Sequence, residues 1–376
     1  MAIYDVAIRG GRVVDGAGNP WHYSDIGVRD GKIVRIGSIS ASDADKVIDA
    51  GGLVVCPGFI DLHTHSDVTV LADGDAQSKV RQGVTLDVIG ESNSVGPVEG
   101  PAAGEYREEQ LLRYGVDVTW TDFTGYFQQL IAQGTSINIA SSVAPQQIRR
   151  AVVGFDNRAA EADELEKMKS LVSQAMEQGA VGLSAAWHSG GPEYVDELIE
   201  MAVVAAQYGG YYGTHVGSEG FDIGTELDKT FQIARASGIP VHIYHLKAAG
   251  QDNWPLMTEA LALIDSARAG GMDVTADIYP YIRNGIGLGS FLHPRHYAEG
   301  TDAFLTMLSD SELRGRLRQE VESTSDWENW YRHVGMDWNN VLIVATSDSV
   351  DPNVINRSIV GAAEVLGTDP WNAFFD

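Results

Sequence analysis

The sequence predicts an α/β fold: a small antiparallel β domain of the sandwich type at residues 1–56, followed by a (β/α)8 TIM-like barrel at residues 57–376. Three observations predict it. The first 55 residues show β patterns, the remainder alternates between strand and helix patterns, and polar residues end several predicted strands. Alternation of strands with helices indicates parallel strands joined by helical crossovers, and over this length a barrel is the leading architecture. A doubly wound open sheet is the alternative.

The N-terminal residues show the alternating pattern of β-strands in "YDVAIRG", "GRVVDG" and "SDIGVRDGKIVRIG". In the third segment, Asp30 and Gly31 separate two alternating runs, as the two residues of a hairpin turn would. We therefore expect a small antiparallel sheet over about the first 55 residues.

After Cys56 and Pro57 the pattern changes to strand, helix, strand, helix. One helix ends near Gly179 and carries apolar residues at helical spacing, namely Leu165, Met168, Val172, Ala175 and Met176. The strand "AVGLSAA" follows it. Helices at 193–208, 224–237 and 256–269 then precede the strands "YYGTHV", "IPVHIYHL" and "MDVTADIYPY".

The charge balance restricts the classes of partner. The chain has 26 basic and 52 acidic residues, a formal net charge of −26, which repels phosphate backbones and anionic lipids. We expect no nucleic-acid or membrane partner, and an anionic substrate would need a local lysine or metal ion. No apolar run approaches the roughly 18–20 residues of a membrane span. The single Cys56 and the absence of a secretory signal pattern predict a cytoplasmic protein.

Histidines end three of the predicted strands. His63 and His65 lie in "GFIDLHTHSD", two positions apart and so on one face of a strand, while His215 and His245 end later strands. The C-terminal strand ends of a barrel share one mouth, where neutral imidazoles could hold a divalent ion. For His215 or His245 alone, a hydrogen-bonded core histidine is the alternative. His242 has the opposite strand parity to His245, and we do not assign it to the metal.

Three other polar residues follow strands. Glu91, after "VTLDVIG", could bridge two metal ions, and the alternative is an exposed loop glutamate. Lys247 shares a strand face with His245 and could anchor a substrate carboxylate, the alternative being a solvated lysine. Tyr279 closes "DVTADIY".

Several segments in collinear order resemble the N-acyl-D-amino-acid deacylases, or D-aminoacylases, of the amidohydrolase superfamily. The segments are "VVDGAGNP", "DGKIVRIG", "PGFIDLHTHSD", "QGVTLDVIGES", "YYGTHVGSEG", "GIPVHIYHLKAAGQDNW" and "DVTADIYPY". The resemblance implies a metal-dependent hydrolase barrel with one or two divalent ions, zinc above all. It implies hydrolysis of the amide bond of a small-molecule substrate, an N-acyl-D-amino acid.

Residue by residue, the resemblance implies that His63 and His65 are the first-strand metal ligands, and that His215 and His245 are the ligands of strands five and six. It implies that Lys247 and Tyr279 hold the substrate carboxylate.

The sequence departs from the family pattern at three places. Ser92, beside Glu91, stands where many members have a cysteine ligand, so we expect a bridging ligand of a different type. Gly217 replaces the usual arginine two residues after the strand-five histidine. No lysine ends strand four in "AVGLSAAW", which argues against the hydantoinase and dihydroorotase branch and its carboxylated lysine.

The superfamily places a catalytic aspartate at the end of strand eight. Counting strands nominates Asp348, at the end of "NVLIVATSD", yet residues 339–376, which include that segment, resemble the family's inserted segment between strands seven and eight. We therefore expect a C-terminally truncated chain that lacks strand eight, its aspartate and the last strands of the β domain. Two alternative functions remain: an amidohydrolase for a cyclic or different acyl amide, and a catalytically silent metal-binding protein.

Overall fold

A computed structural model describes residues 2–156, 158–186, 193–297, 300–323, 327–347 and 349–376. The chain forms two compact units. The first comprises Met1–Leu62, Asp73–Val88 and Gln133–Ile139, and the second comprises His63–Ala72, Ile89–Ala132 and Ala140–Asp376. The domain boundary at residue 57 stays a prediction.

The described elements follow the predicted order along the chain. The strands are β1 (Tyr4–Val13), β2 (His22–Arg29), β3 (Lys32–Gly37), β4 (Ala44–Asp49), β5 (Val54–Val55), β6 (Phe59–Asp61), β7 (Val84–Ile89), β8 (Asn138–Ser141), β9 (Gly182–Ala185), β10 (Tyr211–Thr214), β11 (Val241–Ile243) and β12 (Val274–Ala276).

The helices are α1 (Thr69–Ala72), α2 (Gln77–Val80), α3 (Ala103–Tyr114), α4 (Phe123–Gln133), α5 (Pro145–Val152), α6 (Ala162–Glu177), α7 (Glu193–Gln207), α8 (Ile223–Ser237), α9 (Leu256–Ala269), α10 (Thr301–Met307), α11 (Ser311–Ser323), α12 (Trp330–His333), α13 (Ile359–Leu366) and α14 (Pro370–Phe375). Short 3-10 turns occur at Ala41–Asp43, Gln251–Asn253, Leu288–Phe291, Pro294–Tyr297, Trp338–Asn340 and Pro352–Val354. None of the described helices is long and apolar enough to cross a membrane, and the cytoplasmic location stays a prediction.

The N-terminal sheet is mixed, so the expectation of a purely antiparallel sheet is wrong. Its strand order is β3-β2-β1-β4, with β5 also paired to β1. Strand β1 is antiparallel to β2 but parallel to β4 and β5. Alternation of polar and apolar residues fixes which face a side chain occupies, but not the strand's direction. The turn at Ala41–Asp43 lies on the connection that carries the chain from β3 to the far side of β1.

The predicted hairpin between β2 and β3 is confirmed. Asp30 and Gly31 form its turn, with φ angles of 52° and 71°. Positive φ at both central residues is the signature of a type I′ turn, whose twist matches that of the flanking strands. Arg29 pairs with Lys32 directly beside the turn.

The described strands after residue 57 follow one another in chain order within two sheets, and β6 pairs with β7 in parallel. One sheet has the order β6-β7-β8, and the other has the order β12-β11-β10-β9. Within the second sheet, each strand pairs in parallel with its neighbour, and α7, α8 and α9 lie on the successive connections. Just beyond β8, Val143 forms a parallel bridge to Leu183 of β9. The predicted βα repeats are therefore present.

Helix α6 shows why these repeats form where the sequence predicts them. Glu161 and Glu164 make a reciprocal capping box that satisfies free backbone N–H groups at the start of the helix. The buried residues are Met168, Val172, Ala175 and Met176, which recur on one helical face. Gly179, with a φ of 104°, follows the helix end, as the sequence predicts.

An aromatic cluster organises the C-terminal part of the second unit. Phe291, Trp338, Trp371 and Phe374 are buried there against one another. The stretch 341–347 forms no strand: Leu342 makes an isolated antiparallel bridge to Ser358, and Ile343 exchanges backbone hydrogen bonds with residues 356–357. Asp348 lies outside the described residues.

Replacing Gly213 or Gly104 by alanine should change the free energy of unfolding in different directions. A Cβ at Gly213 in β10 would lie 2.1 Å from the hydroxyl of Tyr244, a ring that is 2% exposed. We expect Gly213→Ala to lower the free energy of unfolding by about 1–3 kcal/mol through overpacking. Gly104 in α3 has no heavy atom within 4 Å of such a Cβ, so Gly104→Ala should be neutral or stabilise by up to about 1 kcal/mol. Urea unfolding of both variants checks this, and equal destabilisation would contradict it.

Candidate metal centre

The candidate ligands all follow the C-terminal ends of parallel strands. His63 and His65 come two and four residues after β6, and Glu91 comes two residues after β7. His215 directly follows β10, and His245 comes two residues after β11. The alternation of strand and helix therefore brings all five to the strand ends, where α/β folds build their sites.

Glu91 lies at the centre of this group. Its Oε2 is 3.8 Å from His63 Nε2 and 3.2 Å from His65 Nε2, whereas its Oε1 is 3.1 Å from His215 Nε2. Its side chain is 5% exposed, and the Ser92 hydroxyl donates a hydrogen bond to Oε1. Burial rules out the alternative of an exposed loop glutamate. The two carboxylate oxygens face different histidines, which is the geometry of a bridging ligand.

The spacing of the donor atoms fits divalent ions. Two groups each bring their possible ligand atoms within 4.8 Å of one another: His63, His215 and His245, and His63, His65 and Glu91. Zinc holds nitrogen and oxygen ligands at about 2.0–2.2 Å in a tetrahedron, so neighbouring ligand atoms lie about 3.3–3.6 Å apart. The 3.1–3.8 Å distances around Glu91 bracket that value. Since His63 belongs to both groups, the arrangement can hold one ion or two adjacent ions.

The surroundings of Glu91 favour its ionised form, and burial favours the neutral form of His215. Burial opposes ionisation of Glu91, but hydrogen bonds from His215, His63 and Ser92 outweigh it and hold its pKa well below the usual value. Burial lowers the pKa of His215, although the Glu91 carboxylate opposes this shift. An ionised carboxylate beside neutral imidazoles is the donor set that divalent zinc takes.

Aromatic and backbone contacts fix the rings. Tyr244 stacks on His63, with ring centroids 4.2 Å apart and planes 15° apart, and its hydroxyl hydrogen-bonds Ser184 at 2.8 Å. His245 has a φ of 37°, and its backbone N–H donates to Asp277 Oδ1 at 2.5 Å. A left-handed conformation is costly for a non-glycine residue, and this hydrogen bond offsets part of the cost.

His242 occupies a different environment from His245. Its two ring nitrogens lie 2.8 Å from Thr275 Oγ1 and 2.9 Å from Asp277 Oδ2. These are the contacts of a hydrogen-bonded core histidine, as expected from its strand parity.

The two predicted substrate-binding residues lie beside His245. Lys247 Nζ lies 5.3 Å from the centre of the Tyr279 ring, and that ring lies 6.1 Å from the His245 ring. Lys247 is not a solvated lysine, because its Nζ donates to Glu219 Oε1 at 2.6 Å. Sequence reasoning missed Glu219. It stands in "YYGTHVGSEG", four residues after His215, in a loop where no periodicity indicates which way a side chain points.

Comparisons with known proteins identify the family of this chain. Residues 46–317 match the amidohydrolase family. The chain is 36% identical over 282 residues to D-aminoacylase of Alcaligenes xylosoxydans xylosoxydans, covering 74% of this chain and 58% of the relative. The chain therefore spans less than two thirds of the length of that curated relative.

Two solved structures share the fold over 99% of this chain and 69% of their own. N-acyl-D-glutamate deacylase from Bordetella bronchiseptica, complexed with zinc and a phosphonate mimic of the tetrahedral intermediate, has a TM-score of 0.77 and 28% identity. D-aminoacylase with a binuclear metal centre has a TM-score of 0.73 and 30% identity. The predicted fold class is confirmed by this likeness.

Glu91→Gln tests the ligand geometry, since it keeps the shape of the side chain and removes its charge. Loss of a hydrogen-bond partner of a metal ligand lowers metal affinity by about 10–100-fold. We expect a larger loss of Zn2+ affinity in Glu91→Gln, because a neutral amide is a poor zinc ligand. Competition with a chromophoric chelator measures this on metal-stripped protein. Glu197→Gln is the control, since Glu197 is 6% exposed and pairs with Arg149 at 3.0 Å. Equal affinities in the two variants would argue against Glu91 as a ligand.

Proposed function

Because this chain belongs to the amidohydrolase family, we propose that its protein hydrolyses the amide bond of N-acyl-D-amino acids, giving a carboxylate and a free D-amino acid. The observation that carries the proposal is the buried Glu91 carboxylate, whose two oxygens face His215 on one side and His63 and His65 on the other. Such a site suits one or two divalent ions, with zinc as the first candidate.

The residues of the site have different roles in the proposed reaction. When bound, a divalent ion polarises the scissile carbonyl and lowers the pKa of water toward about 7. His63, His65, His215 and His245 supply neutral nitrogen ligands, and Glu91 supplies the negative charge that offsets the charge of the ions. We assign no general base among the described residues, and Asp348 lies outside them.

We assign binding of the substrate carboxylate to Lys247 and Tyr279. In a chain of net charge −26, an anionic substrate needs a local cation, and Lys247 places one beside the ligand His245. The Tyr279 ring lies next to that cation and can donate its hydroxyl to the same carboxylate. Together they would fix which end of the substrate faces the metal.

The named relatives support the substrate class. They are a D-aminoacylase and an N-acyl-D-glutamate deacylase, and the latter was solved with zinc and a mimic of the tetrahedral intermediate. Gly217 stands where the resemblance leads us to expect an arginine, two residues after His215. This difference favours a second candidate function, an amidohydrolase for a different acyl or cyclic amide.

Activity on N-acetyl-D-amino acids, with the L-isomers as matched controls, tests the proposal. We expect release of free D-amino acid, loss of that release in a chelator, and recovery on adding Zn2+. Turnover of cyclic amides alone would favour the second candidate. Zinc binding without turnover of any amide would overturn the proposal and favour a catalytically silent metal-binding protein.

Lys247→Met should raise KM for N-acetyl-D-amino acids by roughly 10- to 100-fold, because a hydrogen bond to a charged group contributes about 1.5–3 kcal/mol. We expect a smaller effect on kcat, since the carboxylate is bound in both the ground state and the transition state. Lys229→Met, which removes a lysine paired to Glu226 on α8, is the control. An unchanged KM in Lys247→Met would argue against the anchoring role.

A further inference from the structure

Glu219 contacts both a proposed metal ligand and the proposed substrate anchor. Its Oε1 lies 2.8 Å from His245 Nδ1 and 2.6 Å from Lys247 Nζ, and its side chain is 10% exposed. No motif or strand pattern assigned it a role. A buried carboxylate in two such contacts is well placed to control both partners.

The neighbouring groups leave the His245 ring two arrangements. A carboxylate only accepts hydrogen bonds and an ammonium only donates them, so Nδ1 of His245 either donates to Glu219 at 2.8 Å or accepts from Lys247 Nζ at 2.9 Å. In the neutral ring, Nε2 keeps its lone pair for a metal ion only when Nδ1 carries the proton. Metal binding through Nε2 therefore requires the first arrangement, in which Glu219 accepts from both His245 and Lys247.

The loop that carries Glu219 is held on both sides. The Ser218 hydroxyl donates to Glu328 Oε2 at 2.7 Å, and the Ala249 N–H donates to the Glu219 carbonyl at 2.6 Å. The first contact ties the loop after β10 to the region just before α12, and the second ties it to the loop after β11.

Close packing reinforces these hydrogen bonds. A Cβ at Gly220 would lie 2.8 Å from Glu328 Oε1 and 3.1 Å from His333 Nε2. The backbone of this loop therefore packs closely against the side chains of Glu328 and His333. Glu219 is thus presented from a fixed loop, which is what a residue that orients its neighbours needs.

We propose that Glu219 is a positioning residue that fixes the Nδ1-protonated tautomer of His245 and holds Lys247 beside it. One carboxylate then sets both the geometry of a metal ligand and the location of the substrate anchor. This inference rests on the proposed function for its metal and substrate. Metal-ligating histidines commonly donate their second N–H to a carboxylate, and losing that partner costs about 10–100-fold in metal affinity.

The first experiment compares Glu219→Gln with Glu226→Gln in Zn2+ affinity, by chelator competition on the metal-stripped chain. Glu226 is the matched control, because its side chain is also 10% exposed and pairs with a lysine, Lys229, at 2.5 Å. We expect a loss of about tenfold or more in Glu219→Gln, and a change of less than about twofold in Glu226→Gln. A Glu219→Gln variant that unfolds at lower temperature but binds Zn2+ as wild type does would show a merely structural role and overturn the inference.

Lys247→Met separates the two contacts of Glu219. If Glu219 acts on His245 directly, this variant keeps its Zn2+ affinity while KM rises. If it loses Zn2+ affinity as strongly as Glu219→Gln does, the lysine orients the ring and the inference is overturned.

Nitrogen-15 NMR of the histidine side chains tests the tautomer in the metal-free protein. We expect His245 to show an Nδ1–H signal in wild type that is lost or exchange-broadened in Glu219→Gln, and an Nε2–H tautomer in wild type would overturn the inference. The NMR measurement of the His245 tautomer does not depend on the proposed function. Failure of wild type to bind Zn2+ would instead defeat the proposed function, and the NMR result would still decide the role of Glu219.

Discussion

Burying a carboxylate as deeply as Glu91, at 5% exposure, costs several kcal/mol unless donors and cations surround it. Ser92 and His215 supply part of that compensation, but Ser92 is a neutral donor and burial favours the neutral imidazole of His215. A divalent ion held by the carboxylate and the rings would add positive charge to this compensation. Glu91 is therefore the residue around which the candidate metal centre is arranged, and the surrounding strand ends hold its carboxylate in place.

The supports of the centre are close-packed groups behind the ligands. Tyr244 stacks on His63, and Gly213 leaves room for the Tyr244 hydroxyl. Asp277 accepts the backbone N–H of His245 and also contacts His242, so one carboxylate joins a site histidine to a core histidine. Because protein interiors are packed at crystal-like density, small changes in these supports reach the ligands directly.

Charge is distributed unevenly around the site. The chain carries a net −26, yet the two buried acids nearest the histidines, Glu91 and Glu219, each have partners that keep them ionised. For Glu219, burial raises the pKa, but the hydrogen bond from His245 and the charge of Lys247 outweigh it and lower the pKa overall. The Glu219 carboxylate thus holds the Lys247 ammonium in one position beside His245.

The order of the βα repeats, the hairpin at Asp30 and Gly31, and the residues that end the strands could be predicted from the sequence, because periodicity and turn chemistry are local. The parallel pairing of β4 with β1 could not, since alternation of polar and apolar residues carries no information on strand direction. The burial of Glu91 and the contact of Glu219 with His245 became visible in the folded chain. Those facts depend on loops held by partners far along the chain, such as Ser218 and Glu328, 110 residues apart, whose distances no local pattern encodes.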